Sequence, residues 1–204
     1  MDFVAIDFET ATKERTSACS LGWCKVVNNT ITERREILIR PDPLDFNEYN
    51  IKIHGITPEM VCDKPTFAEY WHELKPYIEN NMVVAHNASF DVNVLCSTLQ
   101  HYNIPLPNFE YMCTVILSQK AYPDLDSHKL NNLAYALGID FNHHRAYDDA
   151  YACAAAFLRI AKDYNLNSFE EFEKQFSVKR GVVTTENGIL KRKKKRLTKI
   201  QYMV

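Results

Sequence analysis

The sequence contains no Cys-x-x-Cys pair, and none of its six cysteines (Cys19, Cys24, Cys62, Cys96, Cys113 and Cys153) has a nearby histidine at metal-ligand spacing. That scatter argues against a zinc module, and the six read as buried or free thiols. There is no run of about 18 apolar residues, the length that crosses a bilayer, so no membrane partner is expected. The first residues, Met1-Asp2-Phe3-Val4, lack the charged n-region and the apolar stretch of a secretory signal, which makes a reducing, cytoplasmic compartment the expectation. No internal repeat is visible.

What is present is ordinary for a globular chain. With 46% hydrophobic and 25% charged residues, disordered and fibrous classes drop out, and 204 residues suffice for one compact core plus an appendage. The net charge of −2 conceals an asymmetry. Residues 1–178 hold 15 Lys and Arg against 25 Asp and Glu, net −10, whereas residues 179–204 hold 9 against 1, net +8. The tail is a separate electrostatic object.

Apolar patterning predicts strands over 3–8, 19–27 and 31–39, with Asn28-Asn29-Thr30 as the turn between the last two. Pro41-Asp42-Pro43 stops the third strand and a less regular stretch runs to Lys64. A capping box at Thr66 and Glu69 and a stripe of Phe67, Tyr70, Trp71, Leu74, Tyr77 and Ile78 predict a helix over 66–80, kinked at Pro76. Met82-Val83-Val84-Ala85 reads as a fourth strand leading into a helix over 88–100, with Asn87 placed to cap it. Helices follow at 114–121, at 129–137 closed by Gly138, at 147–163 and at 168–176. Strands first and helices afterwards indicate an α/β domain, a mixed sheet covered by helices.

Asp7 and Glu9 are two residues apart at the end of the first strand, so alternation directs both to one face while Val4, Ile6 and Phe8 point to the other. Two anions sharing one small site raise each other's proton affinity unless a hard, oxygen-liganded cation such as Mg²⁺ or Mn²⁺ intervenes. Taken alone, the pair also reads as solvated strand-end acids. Asp91 falls in the first turn of a helix at the carboxyl end of a strand, where α/β sheets place ligands, and where the helix dipole by itself favours an acid. Asp149 shares a helical face with Cys153, Ala156, Phe157 and Ile160, whereas Asp148 aligns with Ala152, Ala155 and Arg159. A carboxylate on a core-facing stripe needs a partner or a metal, which selects Asp149 as the functional acid. Four carboxylates from three segments suit two-metal phosphoryl chemistry, and His144, near Asp149, suits the task of accepting a proton from water.

Asp7-Phe8-Glu9-Thr10, His86-Asn87-Ala88-Ser89-Phe90-Asp91 and His144-Arg145-Ala146-Tyr147-Asp148-Asp149-Ala150 resemble, in order and spacing, the three motifs of the DEDDh exonucleases. Ile53-His54-Gly55-Ile56-Thr57, followed by Asp63-Lys64-Pro65-Thr66-Phe67, is similar to the segment between the first two motifs in bacterial proofreading exonucleases of the epsilon type, subunits of DNA polymerase III. The resemblance covers residues 2–163. It implies a ribonuclease-H-like fold with a mixed five-stranded sheet flanked by helices, two divalent ions (Mg²⁺ or Mn²⁺) and release of nucleoside monophosphates from a 3′ end. By the same resemblance Asp7, Glu9 and Asp149 hold the metals, Asp91 acts directly or through water, and His144 is the general base. Thr10, His54, Asn87 and Phe90 match positions that face the terminal nucleotide, although Phe90 equally reads as core and Asn87 as a cap. Tyr147 stands where the family is more often aliphatic.

The expected organisation is an exonuclease domain over 1–165 and a C-terminal extension with a basic tail over 166–204. The expected substrate is a nucleic acid 3′ end, single-stranded DNA first and an RNA 3′ end second, with a non-catalytic nucleic-acid-binding subunit as the rival from another class. No polymerase or BRCT segment accompanies the motifs, so a polymerase or repair partner is expected to be a separate chain. The run Lys191-Arg192-Lys193-Lys194-Lys195-Arg196, followed by Lys199, suits a phosphate backbone; it also reads as a solvated terminus or as a tail lying on the acidic body.

Overall fold

The computed structural model of the protein describes residues 1–143, 145–186 and, for the backbone, 188–189. The basic run from Lys191 and Lys199 lie outside the described residues, as does His144. Three antiparallel strands open the chain: β1 (Phe3–Thr10), β2 (Ala18–Val27) and β3 (Thr30–Leu38). Asn28 and Asn29 join the last two with φ of 51° and 60°, the left-handed pair that a tight hairpin turn requires and that asparagine tolerates. β4 (Met82–Ala85) then pairs parallel to β1, and β5 (Phe109–Cys113) parallel to β4. Two further antiparallel strands, β6 (Gly181–Thr184) and β7 (Gly188–Ile189), continue the sheet to the order β3-β2-β1-β4-β5-β6-β7. The expected mixed sheet is present, and two strands from beyond residue 178 lengthen it.

The helices are α1 (Glu48–His54), α2 (Pro58–Val61), α3 (Phe67–Ile78), α4 (Ser89–His101), α5 (Thr114–Ala121), α6 (Leu130–Leu137), α7 (Ala146–Asp163) and α8 (Phe169–Phe176). β1 is covered on both faces because its alternation is apolar on both. Val4, Ile6 and Phe8 join Phe67, Trp71, Leu95 and Leu99 on the side of α3 and α4, while Phe3 and Ala5 join Phe157, Ile160, Phe172 and Phe176 on the side of α7 and α8. Phe157 is the centre of the second layer, 4.9 Å from Phe3 and stacked 4.5 Å from Phe172. Burial of each such ring contributes on the order of 1.5–3 kcal/mol.

Several local expectations are corrected. The helix after β4 starts at Ser89, and its N-cap position is Ala88 with no side-chain cap bond; Asn87 instead turns the chain with φ 66°. Asparagine is one of the few side chains that accept this conformation, so the residue serves the sharp strand-to-helix turn rather than the cap. The stretch 41–64 contains α1 and α2, and none of the α1 residues is buried, so it carried no apolar stripe to read. Pro76 sits in the last turn of α3, which keeps the capping box expected at Thr66 and Glu69.

Candidate active site

β1 delivers Asp7 and Glu9 from its carboxyl end to the α7 side of the sheet, and α7 crosses that face with its first turn directly above them. The approach depends on Gly22, which pairs with Asp7 across β1 and β2. A Cβ on Gly22 would lie 2.0 Å from the carbonyl oxygen of Ala146, the first residue of α7, so only a bare backbone lets the helix start there. Asp149 consequently drops beside Asp7 and Glu9, and one carboxylate oxygen from each of the three lies within 4.8 Å of the others. Asp91, 1% exposed at the first turn of α4, accepts a hydrogen bond from the Phe8 amide at 3.0 Å, which ties α4 to the strand between the two acids.

The cluster is electrostatically loaded. Burial, followed by Asp91, Asp149, Glu9 and Glu36, holds the Asp7 carboxyl well above the usual range. Burial and then Asp149, Asp91 and Glu36 push Glu9 up to about 8. Asp91 rises to about 7 through burial, against the Phe8 amide that favours its charged form. Glu36 was not singled out from the sequence. It stands opposite Gly22 on β3, so Asp7, Gly22 and Glu36 form one row across three strands, and the Ser20 hydroxyl donates to it at 3.0 Å. Such a row is visible only once strand register is known.

His143 Nδ1 donates to Asp149 Oδ1 at 2.8 Å. Sequence reasoning passed over it for its neighbour His144, whose position is outside the described residues; the doubled histidine was the available signal. The adjacent acids of α7 are both buried, at 8% for Asp148 and 4% for Asp149, so their partners and not their burial distinguish them. Asp148 accepts from Arg34 at 3.1 Å, and the same guanidinium lies over Tyr147 and Tyr151, 4.3 and 3.9 Å from the ring centroids. Tyr147 thus has a structural task, as half of a cationic clamp.

A groove of about 650 Å³ runs over the acids, with Asn87, Phe90, His86, His128 and His143 among its walls. Phe90 is 36% exposed there and is not a core residue. Thr10 and His54 sit beyond this lining. The Ile56 amide donates to His54 Nδ1 at 3.0 Å, so the Nε2 proton faces the Thr10 carbonyl at 3.2 Å. Asn50 donates to that carbonyl at 2.8 Å, and together they fix the end of β1 one residue past Glu9. His86, driven down to about 4 by burial, meets the Thr114 hydroxyl at 2.9 Å.

The family model described as "Exonuclease" matches residues 4–157, a span that contains all four acids and both strand-to-helix junctions. The chain belongs to the exonuclease family. Among curated relatives, it is 31% identical to the PolC-type DNA polymerase III of Clostridium perfringens over 86% of this chain and 12% of that protein. The chain therefore spans only a small part of the polymerase it matches. It is 32% identical to the DNA polymerase III subunit epsilon of Treponema pallidum, over 78% of this chain and 75% of that one. Among solved structures, exonuclease X in complex with 5′-overhanging duplex DNA superposes with a TM-score of 0.70 at 26% identity, over 85% of this chain and 99% of that one.

The exonuclease fold is thus of the ribonuclease-H-like kind, a mixed sheet flanked by helices. Exonucleases of this family use divalent metal ions, and the donor set of this chain fits them. Asp7, Glu9 and Asp149 offer three hard oxygens and no thiol, in a site where burial and then the acids' mutual repulsion raise the proton affinity of Asp7 and Glu9 and a cation would offset both. Among the described residues no helix is long and apolar enough to cross a membrane.

Proposed function

We propose that this chain is a DEDDh-type 3′–5′ exonuclease that hydrolyses the terminal phosphodiester of a DNA strand and releases nucleoside monophosphates. The observation that carries the reading is the convergence of Asp7, Glu9 and Asp149 from two elements, with Asp91 hydrogen-bonded to the strand between the first two. In this reading Asp7, Glu9 and Asp149 hold two divalent ions, Mg²⁺ or Mn²⁺, and Asp91 joins them directly or through water. When bound, the ions supply Lewis-acid polarisation of the phosphodiester. His144 accepts the proton of the attacking water. His143 orients the Asp149 carboxylate through its 2.8 Å bond, and Asn50 and His54 hold the Thr10 carbonyl so that Glu9 keeps its aim. Phe90 and Asn87 flank the terminal nucleotide from the groove wall, whereas Thr10 and His54 act from beyond that lining, at the end of β1.

DNA is the first substrate because the relatives are a PolC-type DNA polymerase III and a polymerase III epsilon subunit, and the superposed exonuclease X carries DNA. A single-stranded 3′ end, and a polymerase or repair protein as partner, complete the proposed reading; the DNA polymerase III relatives support the partner. Catalysis is assigned to residues 1–165, and added strand affinity to the basic extension 166–204. Six free thiols accord with a cytoplasmic setting.

The test is digestion of matched 5′-labelled single-stranded DNA and RNA with Mg²⁺ or Mn²⁺, repeated with EDTA and with Asp149→Ala. A metal-dependent ladder shortening from the 3′ end on DNA is expected. Faster shortening of RNA would reassign the substrate, and binding without shortening in any condition would replace the enzyme by a strand-end-binding subunit.

A further inference from the structure

Beside the catalytic groove lies a second, more enclosed cavity of about 530 Å³, and Asn87 and Val115 line both. One wall comes from the exonuclease core: Tyr111 and Cys113 of β5 and Ile116 of α5. The adjoining part of the lining, Val178, Gly181 and Val182, comes from the extension beyond the family match, which ends at residue 157. Gly181 is needed for this closure, because a Cβ there would lie 2.0 Å from the Tyr111 ring that it opposes across β5 and β6. Arg180 fixes the added wall through Glu110 at 3.1 Å, Glu170 at 2.8 Å and Glu173 at 3.3 Å. The cavity is preformed by ion pairs and strand pairing, and its shape is particular to a chain that carries the extension.

We propose that this cavity is a nucleobase subsite: it receives one unpaired base, upstream of the terminal nucleotide, from the strand whose 3′ end lies in the catalytic groove. The inference rests on the function proposed above and adds a second contact to it. Its size falls within the roughly 300–1,000 Å³ of small-molecule sites. An aromatic ring and aliphatic walls suit the flat, weakly hydrated face of a base, while the Asn87 amide and the Ser89 hydroxyl at the lining can meet its polar edge. Continuity through Asn87 and Val115 gives a strand a path from one site to the other without leaving the surface. Stacking of this kind tolerates any of the four bases, as a nuclease that advances along a strand requires.

The experiment is an abasic walk. Single-stranded oligonucleotides that each lack one base, at successive positions from the 3′ end, are digested by the full chain and by two filled variants, Ile116→Trp and Val178→Trp, one from each part of the lining. Both residues line the cavity and are half-buried, so a larger ring at either reduces its volume. In the wild type, one internal abasic position raises KM about ten-fold with kcat unchanged. In both filled variants intact and abasic strands share the same raised KM. If no position stands out in the wild type, or if the same step persists in both filled variants, the subsite is refuted while the exonuclease stands. A wild type that shortens no intact strand refutes the enzymatic reading itself, and the subsite with it.

Discussion

Gly22 and Ala146 touch backbone to backbone, with 2.0 Å left between a would-be Cβ and the carbonyl oxygen. The contact sets how closely α7 approaches the sheet, and thereby where Asp149 stands relative to Asp7. Gly22→Ala is expected to cost about 1–3 kcal/mol of stability through overpacking. It should also lower kcat at temperatures where the variant remains folded. Urea melts and single-turnover rates measured together provide the check; an unchanged rate in a destabilised variant would show that the contact does not position Asp149.

The neighbouring acids Asp148 and Asp149 should separate cleanly. Asp149→Asn is expected to reduce hydrolysis on the order of a hundred-fold or more while strand binding survives. Asp148→Asn removes the charged partner of Arg34. It should act mainly on stability, by about 1–3 kcal/mol, with a small change in kcat. Equal losses of rate in the two variants would contradict the division of labour.

The raised proton affinities of Asp7, Glu9 and Asp91 fix the sign of a pH effect. Each group binds its proton more tightly folded than unfolded, so its contribution is intact at low pH and is lost as the carboxyl is forced to ionise, up to about 8 for Glu9. In EDTA the melting temperature is therefore expected to fall between about pH 5 and pH 8. Mg²⁺ or Mn²⁺ should restore it, with the larger increment at the upper end, and Glu9→Gln should flatten the slope. A scanning calorimetry series that rises through this window would contradict the assignment.

Phe172 of α8 is fully buried and stacks on Phe157. Although α8 falls after residue 165, Phe172→Ala is expected to cost about 3–5 kcal/mol, as for a core ring. Chemical denaturation of the full chain would measure it. A loss below about 1 kcal/mol would mean that the extension merely leans on the core.

Cutting the chain before Lys191 removes the six-cation run and Lys199. For single-stranded DNA the dependence of log binding on log salt should become shallower by about 0.7 for each phosphate that the tail had neutralised. Fluorescence anisotropy over a salt series reads this directly, and parallel lines for the two proteins would deny the tail a phosphate role.

Much of this was legible in the sequence because β1 alternates cleanly. Val4, Ile6 and Phe8 fell on one face and Asp7 and Glu9 on the other without any knowledge of their partners. Asp149 was found by the apolar stripe it shares with Phe157. β5 was missed because Phe-Glu-Tyr-Met-Cys is short and interrupted by Glu110, whose cost on a strand is offset by Arg180, 70 residues away. β6 spans four residues and takes its identity from pairing with β5. Glu36 and Arg34 belong to the site's surroundings through register and through a contact 114 residues distant, neither of which a local pattern encodes. Asn87 was read for its side chain when its backbone angle was the property in use.

None of the α1 residues is buried, and α1 is tied to the sheet by hydrogen bonds from Asn47, Asn50 and His54 to the carbonyls of residues 10–12 and by a contact of His54 with the Cys19 thiol at 4.0 Å. Each is worth only about 1 kcal/mol, whereas β1 is clamped between two helix layers. The two sides of the Glu9 end therefore live on different clocks. Amide protons of α1 are expected to exchange through local opening and those of β1 through global unfolding, which would leave the acids on the firm side of that boundary and α1 on the loose one.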